Sequence, residues 1–187
     1  EKREKAALLV EKEMASRLVP LGIPNVRFQI QFTTKELSED GRDKIAFLFS
    51  ANRSTPLQPI SEVASGGEIA RVMLSLKAMI SGAVKQPTII FDEIDTGVSG
   101  EIAHKMGEIM KQMSQSRQVF AISHLPQVAS KGDVHIKIYK TDIAGRTTTQ
   151  FQELSPEERI EEIAQMLGGK DITESAREHA KQLLSKS

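Results

Sequence analysis

The 187-residue chain suits one domain, or one domain with a small appendage; 39% of its residues are hydrophobic but only 4% aromatic, so Leu, Ile, Val, Met and Ala must fill the core. Lys plus Arg equals Asp plus Glu, 25 each, and no basic stripe is evident, which argues against a freestanding nucleic-acid binder. With no cysteine, no membrane-length apolar run and a charged rather than signal-like start, disulfides, cysteine-ligated zinc and a spanning helix are excluded, and a reducing cytosol is permitted.

The sequence begins at Glu1 rather than Met, and so reads as processed or as a piece of something longer. "EKREKAALLVEKEMASRLV" predicts a charged helix over residues 1–19, with Ala7, Val10, Met14 and Leu18 near helical spacing. Pro20 and Gly22 end it. It is either a surface helix or the end of a longer coiled coil. "VRFQIQF" alternates as a half-buried strand from Val26 to Phe32, and "IAFLFSA" from Ile45 is a second strand. Asp40-Gly41 is the expected hairpin turn between them. "NRSTPLQP" reads as a loop.

Ser65-Gly66-Gly67 opens the next helix. Ile69, Val72, Met73, Leu76, Met79 and Ile80 predict its single apolar face. "TIIF" is fully apolar, the mark of a central parallel strand. A helix over "SGEIAHKMGEIMKQM", a buried-type strand "QVFAIS" and a hairpin around Ala144-Gly145 follow. Ser155, Pro156 and Glu158 predict a capping box at the start of the following helix, and a last helix covers roughly Thr173 to Leu184. Strand–helix–strand order in the middle makes the fold class α/β: a largely parallel sheet flanked by helices, with peripheral antiparallel hairpins.

Asp92 and Glu93 end "TIIF", at the carboxyl edge where open α/β sheets bind ligands. One carboxylate can serve Mg²⁺ while the other orients and deprotonates water; the alternative is a pair of solvated acids. Ser65, Gly66, Gly67 and Glu68 form a helix start able to hold a phosphate. Taken alone, the simpler reading is a capped helix. His124 also follows a strand directly, whereas His104, His135 and His179 read as a mid-helix, a strand and a last-helix residue without metal-ligand spacing. "GVSGE" approximates the nucleophile elbow, but Glu101 stands in the place of its last Gly, and the turn lies seven residues past the strand.

In this order and spacing, "SGGE", "TIIFDE", "IDTGVSG" and "AISHLPQVA" resemble the signature, Walker B, D-loop and switch-histidine elements of ABC-type ATPases. Glu68 stands where transporters usually have Gln, as in SMC-like ATPases. "FLFSAN", "PLQPISEVASGGEIARVMLSLK", "FDEIDTGVSG" and "SHLPQVA" most resemble the RecN family of bacterial DNA-repair ATPases. The likeness runs through most of the chain from Phe47 and includes "EEIAQMLGG". Arg53-Ser54 departs from it, where the family often has Pro-Gly.

The resemblance implies the C-terminal lobe of an ABC/SMC-type ATPase head over residues 20–187, with residues 1–19 as the returning end of a coil. It implies ATP and Mg²⁺ as cofactors, and as partners an N-terminal phosphate-loop half, a second head and DNA. It implies no membrane partner and a bacterial cytoplasmic, nucleoid-associated setting. By position, Asp92 would serve Mg²⁺, Glu93 would be the base, and His124 would sense the γ-phosphate. Ser65, Gly66 and Gly67, with Glu68, would meet a neighbouring head's nucleotide, and Asp95 would shape the dimer interface. Arg71 fits the pattern without an assigned role. The phosphate loop G-x-x-x-x-G-K-[ST] occurs nowhere in the sequence, since Gly168-Gly169-Lys170 runs into Asp171; the chain alone is therefore expected to be inactive. A transporter subunit, another SMC-like ATPase and a non-enzymatic α/β module are the alternatives.

Overall fold

A computed structural model describes residues 1–63, 65–83, 86–143, 146–169 and 171–185. Helix α1 (Lys2–Leu18) buries Ala7, Met14 and Leu18, the face its spacing predicts. Strands β1 (Arg27–Ser38) and β2 (Gly41–Ser50) pair antiparallel from Arg27↔Ser50 to Ser38↔Gly41, with an irregularity between Thr34 and Ser38. Gly41 sits at φ +99, a conformation glycine adopts without steric cost. β1 runs six residues past the predicted end at Phe32, with Thr33, Thr34 and Ser38 pairing with Lys44, Asp43 and Gly41 where little of the strand is buried. Hydrophobic alternation marks the buried half of a strand, and this arm is mostly solvated. A short β3 (Gln58–Pro59), expected as loop, adds to β2, and a 3-10 turn (Ile60–Glu62) follows.

Helix α2 (Gly66–Ile80) lies between two cores. On one side Val72 joins Met14, Leu18, Ile23, Phe28, Phe49 and Val63. On the other Leu74 joins Leu21, Ile89, Phe91, Met106, Met110, Met113 and Val128. The single apolar stripe expected for this helix is therefore corrected. Leu74 is fully buried, whereas Met73 and Ile80 are 40% and 43% exposed. A one-face template misplaces a helix that serves two cores.

The second core lies under the parallel pair β4 (Thr88–Asp92) and β5 (Gln118–Ile122), in register from Thr88↔Gln118 to Asp92↔Ile122. Helix α3 (Gly100–Ser114) covers one face of this sheet, supplying Met106, Met110 and Met113. At Gly107 a Cβ would lie 3.0 Å from the Gln127 carbonyl oxygen, so α3 and α4 (Pro126–Ala129) touch closely there. The other sheet face is bare: Ile90, Phe120 and Ile122 are 63%, 44% and 47% exposed. "TIIF" is thus buried on one face only in this chain, not on the two its composition predicts.

Strands β6 (Ile136–Ile143) and β7 (Arg146–Glu153) form the second predicted hairpin; its expected turn at Ala144-Gly145 lies outside the described residues, as does Lys170. Helices α5 (Pro156–Gly168) and α6 (Glu174–Ser185) pack around Ile163, Ala164 and Ala180. The predicted capping box is present: Glu158 N donates to Ser155 Oγ and Ser155 N to the Glu158 carboxylate. Those bonds, the backbone one first, hold the Glu158 carboxyl below the usual carboxylate range. The Arg159 guanidinium donates to the carbonyls of Ala129, Ser130 and Gly132, satisfying groups that the end of α4 leaves open.

His135, expected within a strand, immediately precedes β6 and is half-buried. Burial is the main cause that pushes its imidazole below the reference 6.5; Arg159 and then Lys137 add to the shift, and Glu162 opposes it. The unfolded chain therefore binds a proton more readily than the folded one below pH 6.5, so stability falls as pH drops through that value toward the lowered one. Melting temperatures at pH 7.5 and 5.5 should show a smaller acid-induced drop in His135→Gln than in the parent. Equal drops would acquit His135.

Candidate nucleotide site

The two parallel strands end level, which brings Asp92-Glu93 and Ser123-His124 to one carboxyl edge. Asp92, Glu93 and His124 are all exposed there. Glu93 N donates to the Ile122 carbonyl at 3.0 Å, extending the ladder by one bond. The chain then turns hard. Glu93 has φ +47, the one positive value among described non-glycine residues. Such a conformation costs about 1–3 kcal/mol and is found at sites where geometry is imposed by function. Thr96 fastens the turn, its N–H (3.2 Å) and hydroxyl (2.8 Å) both donating to the Glu93 carbonyl.

Asp95 follows within this turn, with its side chain directed inward at 1% exposure. Its Oδ2 accepts a hydrogen bond from Ser123 Oγ, and its Oδ1 is buried without a partner among the described residues. Anything Asp95 does for an interface is done by holding the loop, since its carboxylate is not presented to solvent. Ser123 Oγ in turn accepts from Leu125 N at 3.0 Å.

The start of α2 belongs to the same neighbourhood. Ser65 is its N-cap, accepting from Glu68 N at 3.4 Å, and Ser65 and Gly66 are exposed. Gly67 packs against the turn after Glu93: a Cβ there would lie 3.2 Å from the Thr96 carbonyl oxygen and 3.4 Å from the Arg71 guanidinium. A close approach of two backbones is thus enough to favour glycine at this position. Arg71, left without a role by the sequence, lies behind this contact. Its Nε is buried and unpartnered among the described residues. Burial pushes its guanidinium below the usual range, with Glu68 opposing.

Ser123 and Thr96 are the residues that sequence reasoning passed over. Both are ordinary polar residues: Thr96 closes its own turn on the Glu93 carbonyl, whereas Ser123 meets Asp95 only because two chain segments come together. Ser99 of the approximate elbow is the N-cap residue of α3, with no side-chain capping bond. His104 pairs with Glu108 at 3.2 Å along α3. Among the described residues no group of three or more His, Cys, Asp or Glu converges on a point that could hold a metal ion. A lone exposed carboxylate such as Asp92 has the donor chemistry of a Mg²⁺ site that waters and substrate phosphates complete, an ion that keeps several waters of its own. No described helix is long and apolar enough to cross a membrane.

No protein-family model matches the chain. It is 41% identical over 187 residues to the DNA repair protein RecN of Halalkalibacterium halodurans, an alignment covering 97% of this chain and 33% of that protein. The chain spans about a third of the length of the curated relatives it matches. Among solved structures, the Smc head domain with a coiled coil and joint from Pyrococcus yayanosii superposes with a TM-score of 0.67 at 19% identity, over 91% of this chain and 30% of that one. A chain from work on ATP-driven dimerisation and DNA-stimulated activation of SMC ATPases gives 0.57 at 16% identity, over 89% and 96%. At these identities the structural likeness speaks to fold alone, and the fold is that of an SMC head. Sequence and fold together make the chain RecN-like, corresponding to the C-terminal third of those proteins.

Proposed function

We propose that this chain is the C-terminal part of the head of a RecN-type DNA-repair ATPase, and that Asp92, Glu93 and His124 act on ATP whose phosphates are cradled by another part of the protein. The observation that carries this reading is the strained Glu93, held at the sheet edge between the Ile122 carbonyl and the Thr96 turn. Residues 20–187 would be head, and residues 1–19 the returning end of a coil. Leu8 and Leu9, 69% and 72% exposed on α1, suit a helix that meets a second coil strand.

In hydrolysis the water oxygen attacks the γ-phosphorus as the bond to the β–γ bridging oxygen breaks, giving ADP and phosphate. Glu93 orients the water and takes its proton. Asp92 would hold Mg²⁺, which when bound neutralises charge on the phosphates. His124 donates a hydrogen bond to a γ-phosphate oxygen. Ser65, Gly66 and Gly67 offer a hydroxyl and backbone N–H groups at the positive end of α2 to the nucleotide of a second head, with Glu68 closing that first turn. The bare sheet face of Ile90, Phe120 and Ile122 suits the phosphate-loop half as its cover.

The test is nucleotide binding by mixing. This chain and a phosphate-loop-bearing N-terminal half of a RecN protein are titrated separately and together with a fluorescent ATP analogue. Turnover should appear only in the mixture. Enzyme-like hydrolysis by this chain alone would sink the reading, as would a mixture no more active than the N-terminal half.

A further inference from the structure

We propose that Ser123 is a positioning residue that ties the turn carrying Glu93 to His124, an inference that rests on the nucleotide reading above. The Ser123 hydroxyl spans the backbone of His124, since it accepts from Leu125 N at 3.0 Å on the far side of that residue. A hydroxyl has one proton to donate. Ser123 gives it to Oδ2 of Asp95, 28 positions away in sequence. Donation in that direction leaves the lone pairs facing the Leu125 N–H, so one atom fixes both the register of the loop after β5 and its distance from the turn after β4. The Glu93 N–H to Ile122 carbonyl bond runs alongside as a backbone tie. The base and the histidine are therefore fastened at two points, and only one of those is a side chain that evolution or an experimenter can remove.

The burial of Asp95 argues that the tie is more than turn-shaping. At 1% exposure it has no ion pair among the described residues, and one of its oxygens has no hydrogen-bond donor. A buried carboxylate in that state opposes folding, and an apolar residue of similar size would fill the space without that penalty. Buried polar atoms left unsatisfied in a folded protein call for an explanation beyond packing. Here the carboxylate gives Ser123 an acceptor that Leu or Val could not. Movement of the Asp95 turn, when a second head or a nucleotide presses on it, is then passed to His124 through one hydrogen bond.

The test uses the whole protein that carries this chain. Ser123→Ala should lower kcat roughly 10- to 100-fold, the scale of losses from misplaced reacting groups, with the KM for ATP little changed. Ser123→Thr keeps the hydroxyl and should keep most of the rate. On a His124→Ala background Ser123→Ala should bring no further loss, because both changes disable one unit. Asp95→Leu removes the acceptor from the other end of the same pair and should be equally non-additive with His124→Ala, which keeps the question answerable if Ser123→Ala folds poorly. Parent-like kcat in Ser123→Ala, or losses that multiply with His124→Ala, would overturn the tie. Full turnover in both Glu93→Gln and His124→Ala would instead bring down the nucleotide reading and the tie with it.

Discussion

Glu93→Gln in the whole protein is expected to lower ATP turnover at least 100-fold, the lower range for losing a positioned general base, while ATP-dependent association of two heads persists. The amide keeps the size and hydrogen-bonding reach of the carboxylate, so water can still be held, but it cannot take a proton. The backbone at this residue is set by the Ile122 and Thr96 contacts and not by the side chain, so the turn should survive the change. Steady-state phosphate release and ATP-dependent size shift, measured on one preparation, separate the two effects. Unchanged turnover would remove Glu93 from the role of base; lost association together with lost turnover would place it in nucleotide binding.

Phe49→Ala should cost about 3–5 kcal/mol, the range for deleting a buried aromatic ring. That is a large share of the ~5–15 kcal/mol that holds a typical domain together. Phe49 is 1% exposed and sits opposite Phe28 in the hairpin, within the core that joins α1, β1, β2 and α2. Its loss opens a cavity that rigid backbone on several sides cannot close. Phe47 makes the control: it lies on the same strand, is 43% exposed, and meets Phe28 with ring centroids 6.1 Å apart. Phe47→Ala should cost well under half as much. Urea unfolding of both variants checks the ranking, and equal midpoints would mean that this core is not what holds the hairpin to the helices.

Much of this fold could be read along the chain because its signals are local. The α1 stripe, the Asp40-Gly41 reversal, the Ser155–Glu158 capping box and the strand before Asp92 each depend on residues a few positions apart. What could not be read depends on neighbours distant in sequence. Leu74 and Met73 are adjacent and similarly apolar, and only the second core beneath β4 decides which is buried. The polar half of β1 continues a strand because β2 runs beside it, not because of its composition. At the site the place of Asp92, Glu93 and His124 at the ends of two strands was legible. That Asp95 turns inward to Ser123 was not, because no spacing rule links two residues that meet only when parallel strands align.

Gripping α2 from both sides has a mechanical consequence. A helix packed on one face can roll about its axis at modest cost, carrying its first turn with it. Here Val72 and Leu74 anchor opposing flanks, so any roll would disturb both packed clusters at once. The helix is confined to moving as a strut, along with the bodies it separates. A displacement of α1 would then reach Gly66 and Gly67 at the tip of α2 as translation rather than twist, leaving their aim unchanged.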